Sequence, residues 1–153
     1  MGTAMKTIKI KPIEIIGGCR AGITTDDEFQ INGMRVENPR QSNICLLALS
    51  LLPPTVTQLQ RENRCFAHIS CPDCVSSLKQ ENCVTFLLGH ADKWELCQLT
   101  SEYHQLWGEC NDEPVQARQL RQEATHHQQS GEYTLATEKM KTALGILQRY
   151  TYI

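Results

Sequence analysis

Four of the eight cysteines form one pattern in the first half of the chain: Cys19 in G-G-C-R-A-G, Cys45 in N-I-C-L-L-A, and the pair Cys71 and Cys74 in S-C-P-D-C. Thiolates are the ligands of choice for zinc, cuprous copper and iron–sulfur centres, and a C-x-x-C loop lets two sulfurs reach one metal from a single tight turn. Three readings stand side by side. In a metal knuckle, Cys71 and Cys74 supply two thiolates and need ligands elsewhere. Cys19, in a glycine-rich turn after a strand, and Cys45, opening a helix whose positive dipole end favours a negative ligand, can provide them. His68 is a substitute ligand, although its place between Ala67 and Ile69 reads as an ordinary strand position. In a redox reading, Cys71 is the nucleophile and Cys74 the resolving thiol. That arrangement wants a long helix next, and V-S-S-L-K-Q-E-N allows at most two turns before Cys83. In the third reading the cysteines are reduced and merely packed. The polar setting of C-P-D-C favours the metal reading, with Cys19, Cys45, Cys71 and Cys74 as ligands to zinc or an iron–sulfur cluster.

The other reactive side chains carry weaker signals. Cys65 and Cys83 fall in expected strands and read as buried apolar thiols. Cys97 and Cys110 share a helix, thirteen residues apart, and read as core. His126 and His127 are adjacent on a helix and point apart, as surface histidines do. His90 and His104 have no recognisable partner. Asp26, Asp27 and Glu28 read as a solvated turn, although a carboxylate near the cysteines could serve as an acid or base. No Ser/His/Asp arrangement, phosphate-cradling glycine loop or H-E-x-x-H occurs, so hydrolysis and nucleotide chemistry have no positive support.

The elements that must position the thiols can be read from hydrophobic spacing. K-T-I-K-I-K-P-I-E-I-I alternates over Lys6 to Ile16 and predicts a half-buried strand, with Pro12 at an edge or a bulge. Two short strand-like runs flank Asn32-Gly33 and predict a hairpin. Ser42 or Asn43 can cap a helix through Ile44, Leu47, Ala48 and Leu51. Pro53-Pro54 should interrupt it, with a second helical piece from Thr55 to Glu62. Arg64 to Ser70 and Cys83 to Leu88 predict strands on either side of C-P-D-C. The class expected for residues 5–90 is therefore α+β, a small antiparallel sheet with one kinked helix.

Residues 91–153 change character and predict an all-α extension. Trp94, Cys97, Tyr103, Leu106, Trp107 and Cys110 mark one helix, and Pro114 marks the start of another. A turn at Ser130-Gly131 separates the last two. The run from Arg118 to Leu144 resembles one tetratricopeptide-type helical hairpin, carried by Leu120, Ala124, Gly131, Tyr133, Ala136, Met140 and Ala143. One such unit cannot bury its own apolar face, which points to a protein partner or self-association through residues 91–153.

Composition limits the alternatives. The chain has 153 residues, 41% hydrophobic and 21% charged, enough for one domain or a small domain with an appendage. A formal net charge of −2 with no basic stripe gives nucleic acid no footprint. The apolar run Ile44 to Leu52 is too short to span a bilayer and ends at Pro53-Pro54. Lys6, Lys9 and Lys11 alternate with apolar residues rather than leading a signal peptide, so the expected location is the cytosol. There, eight cysteines are ligands and inert core thiols rather than a disulfide framework. The first four residues, M-G-T-A, are assigned no role.

The order of motifs resembles a family of small prokaryotic proteins of unknown biochemical function. Its pattern is C-x-A-G, an acidic D-E-F-type strand, I-C-x-x-A on a helix with a downstream L-x-P, then C-P-D before a final V-x-F strand. Here these are Cys19-Arg20-Ala21-Gly22, Asp27-Glu28-Phe29, Ile44 to Ala48, Leu52-Pro53-Pro54, Cys71-Pro72-Asp73 and Val84-Thr85-Phe86. The resemblance covers residues 5–88 and implies that Cys19, Cys45 and Cys71 act together; Cys74 is an addition to that pattern. The expected function is a cytosolic cysteine-ligated metal module that meets a partner through its C-terminal helices. A thiol or iron–sulfur redox protein is the alternative.

Overall fold

The alternating run near the N-terminus forms the central strand β1 (Thr7–Ile16), with Ile8, Ile10 and Pro12 turned into the core and Lys9 and Lys11 between them half-exposed. The computed structural model describes residues 6–17, 19, 21–61, 66–71, 83–110 and 112–151. Around β1 lie β2 (Phe29–Asn32), β3 (Arg35–Glu37), β4 (Phe66–Ser70) and β5 (Cys83–His90). They make a five-stranded sheet in the order β3-β2-β1-β5-β4, every neighbouring pair antiparallel. Pro12 sits at a bulge: it faces Phe86, and the next register pair is already Glu14 with Thr85. The bulge accommodates the missing proline N–H, and because β2 pairs only with Thr7 to Ile10, Pro12 is bonded to β5 alone and stands at a local edge as well.

The hairpin forms one residue later than its sequence signal. Asn32 pairs with Arg35, and the two-residue loop is Gly33-Met34. Gly33 takes φ +64°, which a two-residue hairpin requires at its first central position and which a side chain would resist.

Helix α1 (Leu46–Arg61) differs from the expected two pieces by running straight through Pro53 and Pro54. Each interior proline removes a helical hydrogen bond and costs up to about 3 kcal/mol. Tertiary packing outweighs that preference. Leu52, Val56 and Leu59 are 1%, 4% and 0% exposed against the sheet. Burial of such side chains contributes about 1.5–3 kcal/mol apiece. Together with Ala48 they meet Ile8, Ile10, Phe29, Ile31, Val84, Phe86 and Leu88 in one core.

The chain divides into two compact units, Met1–Asp92 and Lys93–Ile153. The second holds α2 (Trp94–Cys110), α3 (Val115–Gln129) and α4 (Tyr133–Thr151). α3 and α4 form a hairpin, and α4 also packs along α2. Ala117, Ala124, Ala136 and Ala143 are all buried, so short side chains let the backbones approach. The turn is a Schellman cap: Gly131 has φ +80°, its N–H donates to the Gln128 carbonyl, and the Glu132 N–H donates to the His127 carbonyl. Before α3, the buried Glu113 carboxylate accepts from Tyr103 Oη at 2.5 Å and from Arg121 Nε at 2.6 Å, with Arg118 Nε 3.4 Å away. Among the described residues no helix is long and apolar enough to cross a membrane.

Candidate functional site

Strand register decides where the thiols go. β1 ends at Ile16, opposite Cys83 at the start of β5, and Ile15 lies opposite Val84. β4 runs antiparallel to β5, so it leaves the sheet at this same end, and the Cys71 N–H donates to the Val84 carbonyl at 2.9 Å. Cys71 continues the alternation of Ala67 and Ile69, which lean on the core, and is itself 5% exposed. Cys19 follows β1 by three residues and is half-buried against the same core.

Cys45 reaches this end by way of α1. At the far end of the helix, Gln60 Nε2 donates to the Lys6 carbonyl at 3.3 Å and the Gly33 carbonyl at 3.0 Å, fixing the helix C-terminus beside the beginning of β1. Fifteen residues earlier, at a rise of about 1.5 Å each, Cys45 comes to the end where β1 finishes. Its carbonyl accepts the first helical hydrogen bond, from Leu49, so Cys45 is itself the N-cap residue.

Ser42 and Asn43, expected as caps, hold the preceding loop instead. Ser42 Oγ accepts from the Glu28 N–H at 3.0 Å. Asn43 donates its backbone N–H to Asp27 Oδ1 at 3.1 Å and its side-chain amide to the Gly22 carbonyl at 3.1 Å, while Gly22 donates to the Cys19 carbonyl at 3.0 Å. The segment bearing Cys19 is thereby tied to the residues just before Cys45. Asp27 and Glu28 are correspondingly more than a solvated turn. Asp27 Oδ2 accepts from the Thr24 N–H at 2.7 Å, and Glu28 pairs with Arg40 at 3.2 Å and Lys9 at 3.9 Å. The T-x-x-D spacing of Thr24 and Asp27 was the available signal, since such pairs close turns on themselves. Asp26 is exposed, and its backbone N–H donates to Thr24 Oγ1 at 3.3 Å within the same turn.

Cys19, Cys45 and Cys71 thus border one core at one end of one sheet, all as free thiols. Cys74, and with it the C-P-D-C turn after Cys71, lies outside the described residues, as does Cys65. Among the described residues no three His, Cys, Asp or Glu side chains are gathered closely enough to hold an ion by themselves. His68 is exposed on the opposite side of β4 from Ala67 and Ile69, its ring tilted by 59° to that of Phe66 with centroids 5.2 Å apart. That separates it from Cys71 and argues against it as a ligand.

The remaining candidates are structural. Cys97 is fully buried in the helical unit. His90 is 1% exposed at the end of β5, opposite Ile8. His104 lies beside Trp107, and partial burial, then the nearby Arg121 cation, holds its pKa below the ordinary histidine value. His126 is exposed and His127 half-buried with Nδ1 3.5 Å from Glu132 Oε1. Compared with known proteins, the chain matches no family model, no curated protein and no solved structure.

Proposed function

We propose that the N-terminal unit is a cysteine-ligated metal module, with Cys19, Cys45, Cys71 and Cys74 holding zinc or an iron–sulfur cluster in a reducing compartment such as the cytosol. The observation that carries this reading is the placement of three thiols, distant in sequence, around one core at the same end of the sheet. The donor set fits a soft metal, and chain connectivity keeps Cys74 within three residues of Cys71. Such a group supplies a cross-link between strand ends and helix start if it is zinc, and one-electron chemistry if it is a cluster.

The chain's own residues prepare the site. Asp27 and Asn43 hold the Cys19 segment to the start of α1, and the Val84 carbonyl fixes the backbone at Cys71. Asp27 and Glu28 are engaged in these ties rather than presented as an acid or base, which supports a regulatory or structural module over an enzyme. The helical unit supports contact with a protein partner or a second copy, since Val115, Leu135 and Tyr150 leave 74%, 40% and 44% of their surface in water. Apolar area of this kind is what partner surfaces cover.

The test is elemental analysis and an ultraviolet–visible spectrum on protein purified without oxygen or added metal, for the natural sequence and the four Cys→Ser variants. Stoichiometric zinc without visible absorbance, or iron and sulfide with a brown chromophore, lost in C19S, C45S and C71S, supports the reading and chooses the metal. Retention in C74S alone leaves a three-thiolate site. Absence of metal from the natural sequence overturns it, and a Cys71–Cys74 disulfide in that protein would assign the pair to thiol redox instead.

A further inference from the structure

A second candidate site runs along α1, from Leu49 to Arg61, where the β2–β3 hairpin and the helix leave a groove of about 950 Å³ between them. Its volume falls at the upper end of the range of small-molecule pockets, about 300–1,000 Å³. Ile31, Met34 and Val36 form one wall and Leu49, Leu52 and Val56 the other. These side chains are aliphatic or thioether, and no aromatic ring lines the groove among the described residues. Its walls therefore suit a flexible saturated chain better than a flat ring. Met34 and Val36 leave 92% and 50% of their surface in water. Covering that apolar area is the driving force for such a chain to enter.

Charge identifies the other end of the ligand. Among the described residues lining the groove, Lys6 and Arg61 are the only charged ones, and both are cations. They belong to the same end, because Gln60, the neighbour of Arg61, donates to the Lys6 carbonyl. Among the described residues neither forms an ion pair with a carboxylate. Two cations at the mouth of an aliphatic groove select an anion with an apolar tail. A guanidinium matches a carboxylate in shape, and an ammonium adds a second positive charge.

We propose that this groove binds a free monocarboxylate with a saturated acyl tail, the carboxylate between Lys6 and Arg61 and the tail between the hairpin and α1. The same amide that fixes the helix end, Gln60 Nε2, also holds Gly33 of the hairpin at 3.0 Å. Both walls are therefore joined at the charged end, and the groove is formed before any ligand arrives, which spares the ordering cost of building it.

The experiment uses the full chain and calorimetric titration with decanoate below its micellar range, with decanol as the uncharged probe of equal tail length. Decanoate should bind one per chain, and decanol about tenfold more weakly or worse, the loss expected when charge-assisted hydrogen bonds are removed. Lys6→Glu and Arg61→Glu should each weaken decanoate about tenfold or more while leaving decanol unchanged. Val36→Glu, at a half-exposed wall position, should weaken both. If either cation variant proves unfolded by circular dichroism, the decanoate-to-decanol ratio on the natural sequence decides alone. Equal affinity for the two probes, or no binding of either, overturns the proposal. So does decanoate binding that displaces a preformed dimer, since the groove would then belong to a second copy.

Discussion

Asn43 donates its backbone N–H to Asp27 Oδ1 at 3.1 Å, across sixteen residues of sequence and two positions before Cys45. This bond, with the Asn43 amide on the Gly22 carbonyl, is what relates the Cys19 segment to the start of α1. Asp27→Ala removes an acceptor for Thr24 and Asn43 and should cost about 1 kcal/mol, since the site is only partly shielded from water. More telling is thiol access: in metal-free protein, Cys19 and Cys45 should react faster with a disulfide reagent in this variant. Unchanged reactivity would show that the clasp does not hold the thiols.

Glu113 should control the pH dependence of the helical unit. Burial, the largest single influence, pushes its pKa up, but hydrogen bonds from Arg121 and then Tyr103 outweigh it, and the net value lies below the ordinary glutamate one. A depressed folded-state pKa contributes stability that is fully present above the unfolded value, about pH 4.3, and is lost as pH falls through the folded value. Both tryptophans, Trp94 and Trp107, lie in this unit, so fluorescence-monitored urea unfolding reports on it. Stability should fall below about pH 4.5, and Glu113→Gln should flatten that decline. At neutral pH Glu113→Ala should cost about 3 kcal/mol by leaving Arg121 and Tyr103 without their acceptor.

Two glycines of the same unit should respond with opposite signs. A Cβ at Gly131 would meet nothing within 4 Å, so Gly131→Ala tests the backbone alone, which holds φ +80° there. That conformation should make the substitution cost about 1–2 kcal/mol. At Gly145, inside α4, a Cβ would meet only the end of Arg149 at 4.0 Å. Gly145→Ala should therefore stabilise by about 0.5–1 kcal/mol. The same fluorescence assay separates the two; equal signs would mean that the turn is not what positions α3 and α4.

Pro54 is an exposed residue in the interior of α1. Pro54→Ala restores one helical donor and should stabilise the N-terminal unit by about 1–2 kcal/mol, less than the full proline penalty because the helix has already adapted to the ring. Thermal unfolding followed by far-ultraviolet circular dichroism checks this. A loss of stability would assign Pro54 a packing role that its exposure does not suggest.

The α+β class, the sheet with its helix, and the C-terminal helical hairpin were legible because they rest on local periodicity. Ile8 and Ile10 alternate with lysines, and Ala136, Met140 and Ala143 recur at helical spacing. Pro53-Pro54 misled for the same reason: a local breaker signal was stronger than the pull of Leu52, Val56 and Leu59, whose burial depends on strands far away in sequence. Ser42 and Asn43 have ideal cap chemistry, yet their partners Glu28, Asp27 and Gly22 lie between fourteen and twenty-one residues upstream, beyond local patterning. The thiols were legible by type, whereas their common location follows from register, in which Ile16 meets Cys83 and Cys71 meets Val84. The groove between hairpin and helix had no signal at all, because its walls are assembled from residues 31–36 and 49–61.

The brevity of β3 has a bearing on how the molecule behaves in a crowded solution. An outer strand with open backbone donors and acceptors invites recruitment of another chain into a continuous ribbon. Here that border is three residues long, flanked by the charges of Arg35 and Glu37, and Pro39 follows two residues later. Glu37 is further held sideways by Gln30 Nε2 at 2.8 Å and Asn32 Nδ2 at 3.1 Å, which keeps its charge at the border. At β3 the sheet thus ends on a border too short and too charged to template fibril growth, even though Val36 within it and Met34 before it are apolar. This protection belongs to the β3 border and not to β4 at the other edge, whose five residues Phe66–Ser70 carry no carboxylate, lysine or arginine.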